Sequence, residues 1–240
     1  MVELKDFYSR VEKHSLELTV LTLLLVSAGA GVITTSNILD AGNPSGELVA
    51  HYRFDTGAGD TAYDSSNYSN DGSLNDANWT AGRLEGGASY GEEVLTTVPH
   101  SDSLNITGNI TISFYSKVNS LHGAFQDVLT KAVPGPEREY WVYFPPQGDS
   151  ICFSATYQGD SRSTRDTCTG APSVDDGEWH HWAIVQNVDG KNLRFYRDGK
   201  KLGETSRSYF GKRNSTDSGL NIGDIEGKLD DMRIYSAALS

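Results

Sequence analysis

Asn109–Val118 reads NITISFYSKV. Ile110, Ile112 and Phe114 alternate with Thr111 and Ser113, and a period of two sends successive side chains to opposite faces of a strand. One face therefore meets a core and the other stays polar. Outward from this stretch, apolar, β-branched and aromatic residues from Leu48 onward come in short runs divided by Gly, Asn, Asp and Pro, with no long helical period. Leu193–Leu202, LRFYRDGKKL, carries Asp198-Gly199, a pair suited to a two-residue hairpin turn with positive φ. Strands of this kind imply stacked antiparallel sheets.

The chain has 240 residues, and an all-β sandwich uses about 200 residues as one unit. A mean hydropathy of -0.44 excludes a protein that crosses the membrane many times. The net charge of -12 and pI near 4.8 repel phosphate backbones, so no nucleic-acid partner is expected. Eight of the twenty Lys and Arg residues nevertheless fall between Lys191 and Arg213, opposed there by Asp198 and Glu204. That run reads as a solvated hairpin or as a patch that steers an anionic glycan or an acidic neighbouring subunit.

Cys152 and Cys168 flank a polar stretch, YQGDSRSTRDT, that lacks the apolar spacing of a strand. They form either a disulfide stapling a loop, worth about 3 kcal/mol at this length, or two unrelated buried thiols. Sequons begin at Asn67, Asn78, Asn105, Asn109 and Asn214 and, with the Cys pair, favour an exported, extracellular or cell-surface chain.

The clearest boundary lies near the amino terminus, where a charged stretch (1–15) meets Leu16–Leu39, LELTVLTLLLVSAGAGVITTSNIL. As a helix this segment reaches about 36 Å, enough to cross a bilayer core of about 30 Å. Three readings stay open. A cleaved signal peptide uses Leu18–Val26 as its apolar region and Ala28-Gly-Ala30 as its cleavage site. An uncleaved membrane anchor keeps Lys5, Arg10 and Lys13 inside. In the third reading, a hydrophobic helix before a β-rich head resembles the plan of type IV pilin-like subunits, whose helices bundle into a filament. Residues 1–40 are thus assigned to this N-terminal unit, 41–47 (AGNPSGE, rich in turn formers) to a linker, and 48–240 to the sandwich.

Within 48–240, His51–Leu74 (HYRFDTGAGDTAYDSSNYSNDGSL) resembles the opening of laminin-G-like, concanavalin-A-like lectin/glucanase domains, with Tyr52 where the family usually has tryptophan. The resemblance continues through Val98–Ile106, Ile110–Ser113, Asp176–Trp182 (DGEWHHW), Tyr196–Gly199 and Leu229–Ser236 (LDDMRIYS). It implies an all-β jelly-roll sandwich of two antiparallel sheets, preceded by the one N-terminal helix, with first and last strands side by side.

Enzymes of this fold that cleave glycans carry acids two apart on one strand, facing the cleft together. No such run is present. Glu92-Glu93 and Asp230-Asp231 are adjacent, so on a regular strand their side chains point to opposite faces. His180-His181 diverge for the same reason, and Trp179 and Trp182 read as framework aromatics. The chain is therefore read as non-catalytic. Calcium fits better, because a hard cation wants several oxygens. Asp64, Asn70 and Asp71 lie in one loop region, and the family resemblance brings Asp55 and Asp230 or Asp231 near by strand pairing. The competing reading gives these side chains turn hydrogen bonds alone. For a glycan, whose apolar faces are ringed by hydroxyls, the candidate platform residues are Trp141, Tyr143, Tyr157 and Tyr209. The expected function is an adhesion or binding module for carbohydrate or a surface protein. The alternatives are a pilin-like subunit self-assembling through its N-terminal helix and, more remotely, a glycan-active enzyme.

Overall fold

The computed structural model describes residues 46–121, 123–133, 137–160 and 164–240. The described residues belong to one compact unit, Pro44–Ser240. The helix expected over 16–39, with its signal, anchor and assembly readings, lies outside the described residues. Among the described residues no helix is long and apolar enough to cross a membrane.

Strands numbered in chain order form two antiparallel sheets. The first runs β14 (Lys200–Ser206), β13 (Asn192–Arg197), β12 (His180–Asn187), β7 (Ile110–Val118), β16 (Gly227–Tyr235), β5 (Gly86–Tyr90) and β4 (Asn78–Leu84), with β1 (Leu48–Tyr52) also on β16. The second runs β11 (Arg165–Gly170), β10 (Ser150–Ala155), β9 (Arg138–Phe144), β8 (Gln126–Ala132), β15 (Leu220–Gly223), β6 (Leu95–Val98), β3 (Gly72–Ser73) and β2 (Thr61–Ala62). One edge of β16 is shared: Gly227–Leu229 pair with β5 and Met232–Tyr235 with β1. First and last strands therefore do lie side by side.

The core forms where the alternating apolar residues of both sheets meet. Ile110, Ile112, Phe114, Trp182 and Ile184 face inward from the first sheet, and Tyr140, Val142, Phe144 and Phe153 from the second. Phe144 meets Trp182 edge-on at 5.2 Å across the interface. The indole N–H of Trp182 donates to Ser116 Oγ at 2.9 Å, which satisfies a buried donor. Trp182 is thus a framework aromatic. The Asp198-Gly199 turn also forms as its sequence indicates, with φ of 51° and 74° between Arg197 and its partner Lys200.

Two expectations need correction. Thr111 lies on the face read as polar and yet is buried, because the carboxy-terminal segment crosses it: its hydroxyl donates to Ala237 O at 2.7 Å and accepts from Leu239 N at 3.0 Å. The stretch between the cysteines is not all loop. From Arg165 it is β11, and the Cys152–Cys168 disulfide joins directly paired residues of β10 and β11. The polar sequence concealed the strand because β11 is an edge that buries few of its side chains.

Candidate functional site

On β9, Tyr140, Val142 and Phe144 point into the core, so Glu139, Trp141 and Tyr143 lie on the outer face of the second sheet. Trp141 and Tyr143 stack with ring centroids 4.2 Å apart. Phe125, in the loop before β8, adds a third ring 5.5 Å from Tyr143 and is 54% exposed. The Arg138 guanidinium lies 4.1 Å over the indole of Trp141. Strand register sets what surrounds these rings. Tyr143 is paired with Asp127 on β8, and Trp141 with Thr130 on β8 and Ser154 on β10. Ser154 in turn is paired with Asp166 on β11.

The indole N–H of Trp141 and the Asp127 carboxylate are both buried at this face and are directed at each other. Burial pushes the Asp127 carboxyl up to about 6 against the pull of the nearby Trp141 indole and Arg138, while Asp224 adds to the rise. Burial, with Asp166 beside the phenol, also raises the pKa of Tyr143.

Of the four predicted platform residues, Trp141 and Tyr143 come together, with Trp141 partly exposed and Tyr143 buried behind it at 5% exposure, and the other two stand apart. Tyr157 is only 2% exposed, packed 5.5 Å from Phe210, so a ligand cannot reach its ring. Tyr209 is half-buried beneath the Arg165 guanidinium at 4.6 Å. Sequence reading missed Phe125, Arg138, Asp127 and Asp166. Phe125 stands in a loop with no alternation to reveal its exposure, Asp127 and Asp166 join the rings only through pairing across strands, and Arg138, on β9 itself, reaches the Trp141 face where the register with β8 slips.

The segment beside this face is clamped to it by buried charge. Lys131 and Glu139 are fully buried and 3.1 Å apart, and Lys131 Nζ also donates to the carbonyls of Thr216 at 2.8 Å and Ser218 at 3.0 Å. Arg213 is buried too, donating to Gln186 Oε1 and to the carbonyls of Ile106 and Gly108. Desolvation lowers its pKa to about 10. The cationic run Lys191–Arg213 thus loses Arg213 to the interior, and Arg194 donates to the carbonyl of Leu239.

The acidic residues fall into two groups. Asp64 is a hub for its own loop: its carboxylate accepts from the N–H groups of His51, Ser66 and Asn70 and from the Ser66 hydroxyl, at 2.7–2.9 Å. Asp71 accepts from Asp64 N at 2.8 Å, and Asn70 donates to Val49 O at 2.9 Å. The Tyr52 hydroxyl donates to Asn70 O at 2.7 Å, tying β1 to the same loop. Asp55, Glu85, Asp230 and Asp231 instead line a groove of about 420 Å³ with His51, Arg53, Leu84 and Arg233.

Asp230 and Asp231 correct the expectation that adjacent acids diverge. The register with β7 slips between Asp230 and Arg233, and Asp231 has φ of 46°. Such a bulge places both residues on the groove wall. Asp230 Oδ2 accepts from Arg83 N and Leu84 N at 2.7 Å each, and the backbone N–H of Asp231 is also directed at this carboxylate. Burial raises the pKa of this carboxyl. Asp231 pairs with His51 at 2.7 Å and with Arg233 at 3.0 Å. Among the described residues no three His, Cys, Asp or Glu side chains form a metal-holding group.

His180 and His181 diverge. His180 Nδ1 meets Asp198 at 2.8 Å and Nε2 meets Asp176 at 3.2 Å, while His181 packs 4.9 Å from the Tyr115 ring. The sequons also differ in access. Asn67 and Asn78 are exposed, whereas Asn105, Asn109 and Asn214 are partly buried, and Asn109 uses both ends of its amide on Val188 and Asp189.

Residues 90–240 match the model of a laminin-G-type family described as the concanavalin A-like lectin/glucanases superfamily, and the chain belongs to that family. No curated protein sequence matches the chain. Among solved structures, the binding domain of Paraclostridial Mosquitocidal Protein 1 superposes with a TM-score of 0.66 at 17% identity, over 81% of this chain and 50% of that one. The ligand binding domain of botulinum neurotoxin serotype D, in complex with N-acetylneuraminic acid, gives 0.60 at 14% identity over 81% and 48%. Domain 4 of AbnA, a GH43 extracellular arabinanase from Geobacillus stearothermophilus, in complex with arabinotriose, gives 0.60 at 20% identity over 81% and 95%. The chain spans about half the length of the first two of these structures. At these identities the likeness is one of fold, and the solved relatives are described as binding domains or bound to saccharides.

Proposed function

We propose that the protein is a non-catalytic, extracellular or cell-surface module that binds glycan on the outer face of its second sheet, at Trp141, Tyr143 and Phe125. The observation that carries this reading is the three-ring cluster in which Phe125 is exposed, Trp141 is partly buried and Tyr143 lies buried behind them, with the Asp127 carboxylate beside the indole. Aromatic faces take the apolar faces of sugars, and polar groups at their edges take the hydroxyls. The sugar-bound structures of similar fold support the same class of ligand. Binding of the full chain to a glycan array, followed by titration with a glycan that binds, tests the reading. Phe125→Ala is expected to weaken affinity about five- to tenfold with the fold intact, since loss of one stacked ring costs about 1 kcal/mol or more. Unchanged affinity in this variant would remove the site from this face.

The groove beside β16 suits a structural calcium ion. Its best donor is the desolvated Asp230 carboxylate, which has no ion-pair partner among the described residues and is flanked by Asp55 and Asp231. Backbone carbonyls and water complete the six to eight oxygens that calcium takes. Asp64, Asn70 and Asp71 do not contribute on this reading, because the Asp64 oxygens are already occupied by protein donors. Calcium at about 1 mM should raise the melting temperature of the wild type relative to chelator and leave Asp230→Asn unmoved. Equal melting with and without calcium in the wild type would end this proposal.

A further inference from the structure

We propose that the ring cluster selects neutral saccharides with adjacent hydroxyls and rejects sugars bearing a carboxylate or sulfate, with Asp127 and Asp166 as the selecting residues. This rests on the glycan reading of that face and adds its chemical preference.

The two carboxylates flank the rings. Asp127 on β8 is paired with Tyr143, and Asp166 on β11 is paired with Ser154, itself the partner of Trp141. With strands about 4.8 Å apart, the two acids stand on either side of a strip two strands wide that holds Trp141 and Tyr143. Asp224 adds a third negative charge beside Asp127. Among the described residues Arg138 is the cation that faces them, and its guanidinium already lies over Trp141. Two nearby cations are committed elsewhere: Lys131 to Glu139 in the interior and Arg165 to Asp160 at 2.6 Å.

A ligand anion would therefore approach three carboxylates and one occupied guanidinium on a chain of net charge -12. A neutral sugar meets the opposite situation. Ionised carboxylates only accept hydrogen bonds, and adjacent sugar hydroxyls supply paired donors. Asp127 is partly exposed and faces the Trp141 indole, so its carboxylate stands at the edge of the rings as an acceptor for such hydroxyls.

The arrangement also fixes a sign for pH. The groups facing Asp127 are Asp224, Arg138, Trp141 and Tyr143. Its carboxyl, raised to about 6, is an ionised acceptor at pH 7.5 and protonated at pH 5. A neutral glycan held by Asp127 loses affinity over that interval, whereas an acidic glycan gains as the repulsion fades.

The test applies the full chain to an array of neutral, uronate-bearing, sialylated and sulfated glycans at pH 7.5 and pH 5, with Asp127→Asn and Asp127→Asn/Asp166→Asn alongside. Expected are neutral glycans as the main ligands at pH 7.5 and a fall of about tenfold at pH 5. Asp127→Asn should weaken neutral binding and flatten the pH response, and the double variant should gain acidic ligands. Preference for acidic glycans in the wild type, abolished by Phe125→Ala, would overturn the selectivity and leave the glycan site standing. Binding indifferent to all three variants would overturn both.

Discussion

Lys131 and Glu139 show what a single pair of residues does in this structure. Neither is apolar, yet both are fully buried, because Lys131 also satisfies two carbonyls of the segment lying over it. Desolvation raises the Glu139 pKa, and Lys131 opposes that rise. Removing one partner strands a buried charge, so Lys131→Met should cost about 3–5 kcal/mol in urea unfolding. Replacing both, as Lys131→Met/Glu139→Leu, should recover most of that loss, because a well-packed apolar pair avoids both desolvation penalties. A single-variant loss under about 1 kcal/mol would mean that water reaches the pair. Asp127 is the opposite case: among the described residues no buried cation pairs with it closely, and the Trp141 indole and the more distant Arg138 offset only part of the desolvation that raises its pKa.

At the scale of elements, β11 and β16 depart most from what their sequences suggest. β11 is a polar edge strand held to β10 by the Cys152–Cys168 bond, with a separation of 16 residues. Few buried apolar groups hold it, so the disulfide carries much of its attachment. Cys152→Ser/Cys168→Ser should lower stability by about 3 kcal/mol in urea unfolding. It should also weaken glycan binding, since Asp166 rides on β11. A variant with native stability would mean that backbone pairing alone holds the strand. In β16 the bulge at Asp230–Asp231 opens the gap between β1 and β5 and turns both carboxylates to the groove. A bulge changes the face of a residue without changing its identity, so alternation placed one of these two acids wrongly.

For the molecule as a whole, strand periodicity, the Asp198-Gly199 turn and the motif order from His51 to Ser236 determined an all-β sandwich with adjacent first and last strands. These signals are local: a period of two and a turn pair leave their mark in consecutive residues. The candidate site was legible only in part. Trp141 and Tyr143 are visible because they share one face of one strand. Phe125, Asp127 and Asp166 join them only after four strands and a loop are set in register, Arg138 joins them through an irregularity of β9 that alternation does not reveal, and Tyr157 leaves the set because Phe210 and Arg213 enclose it. Whether an aromatic or an acid faces solvent, core or groove depends on which distant strand lies beside it. That pairing is a property of the assembled sheets, and the order of residues along the chain does not carry it.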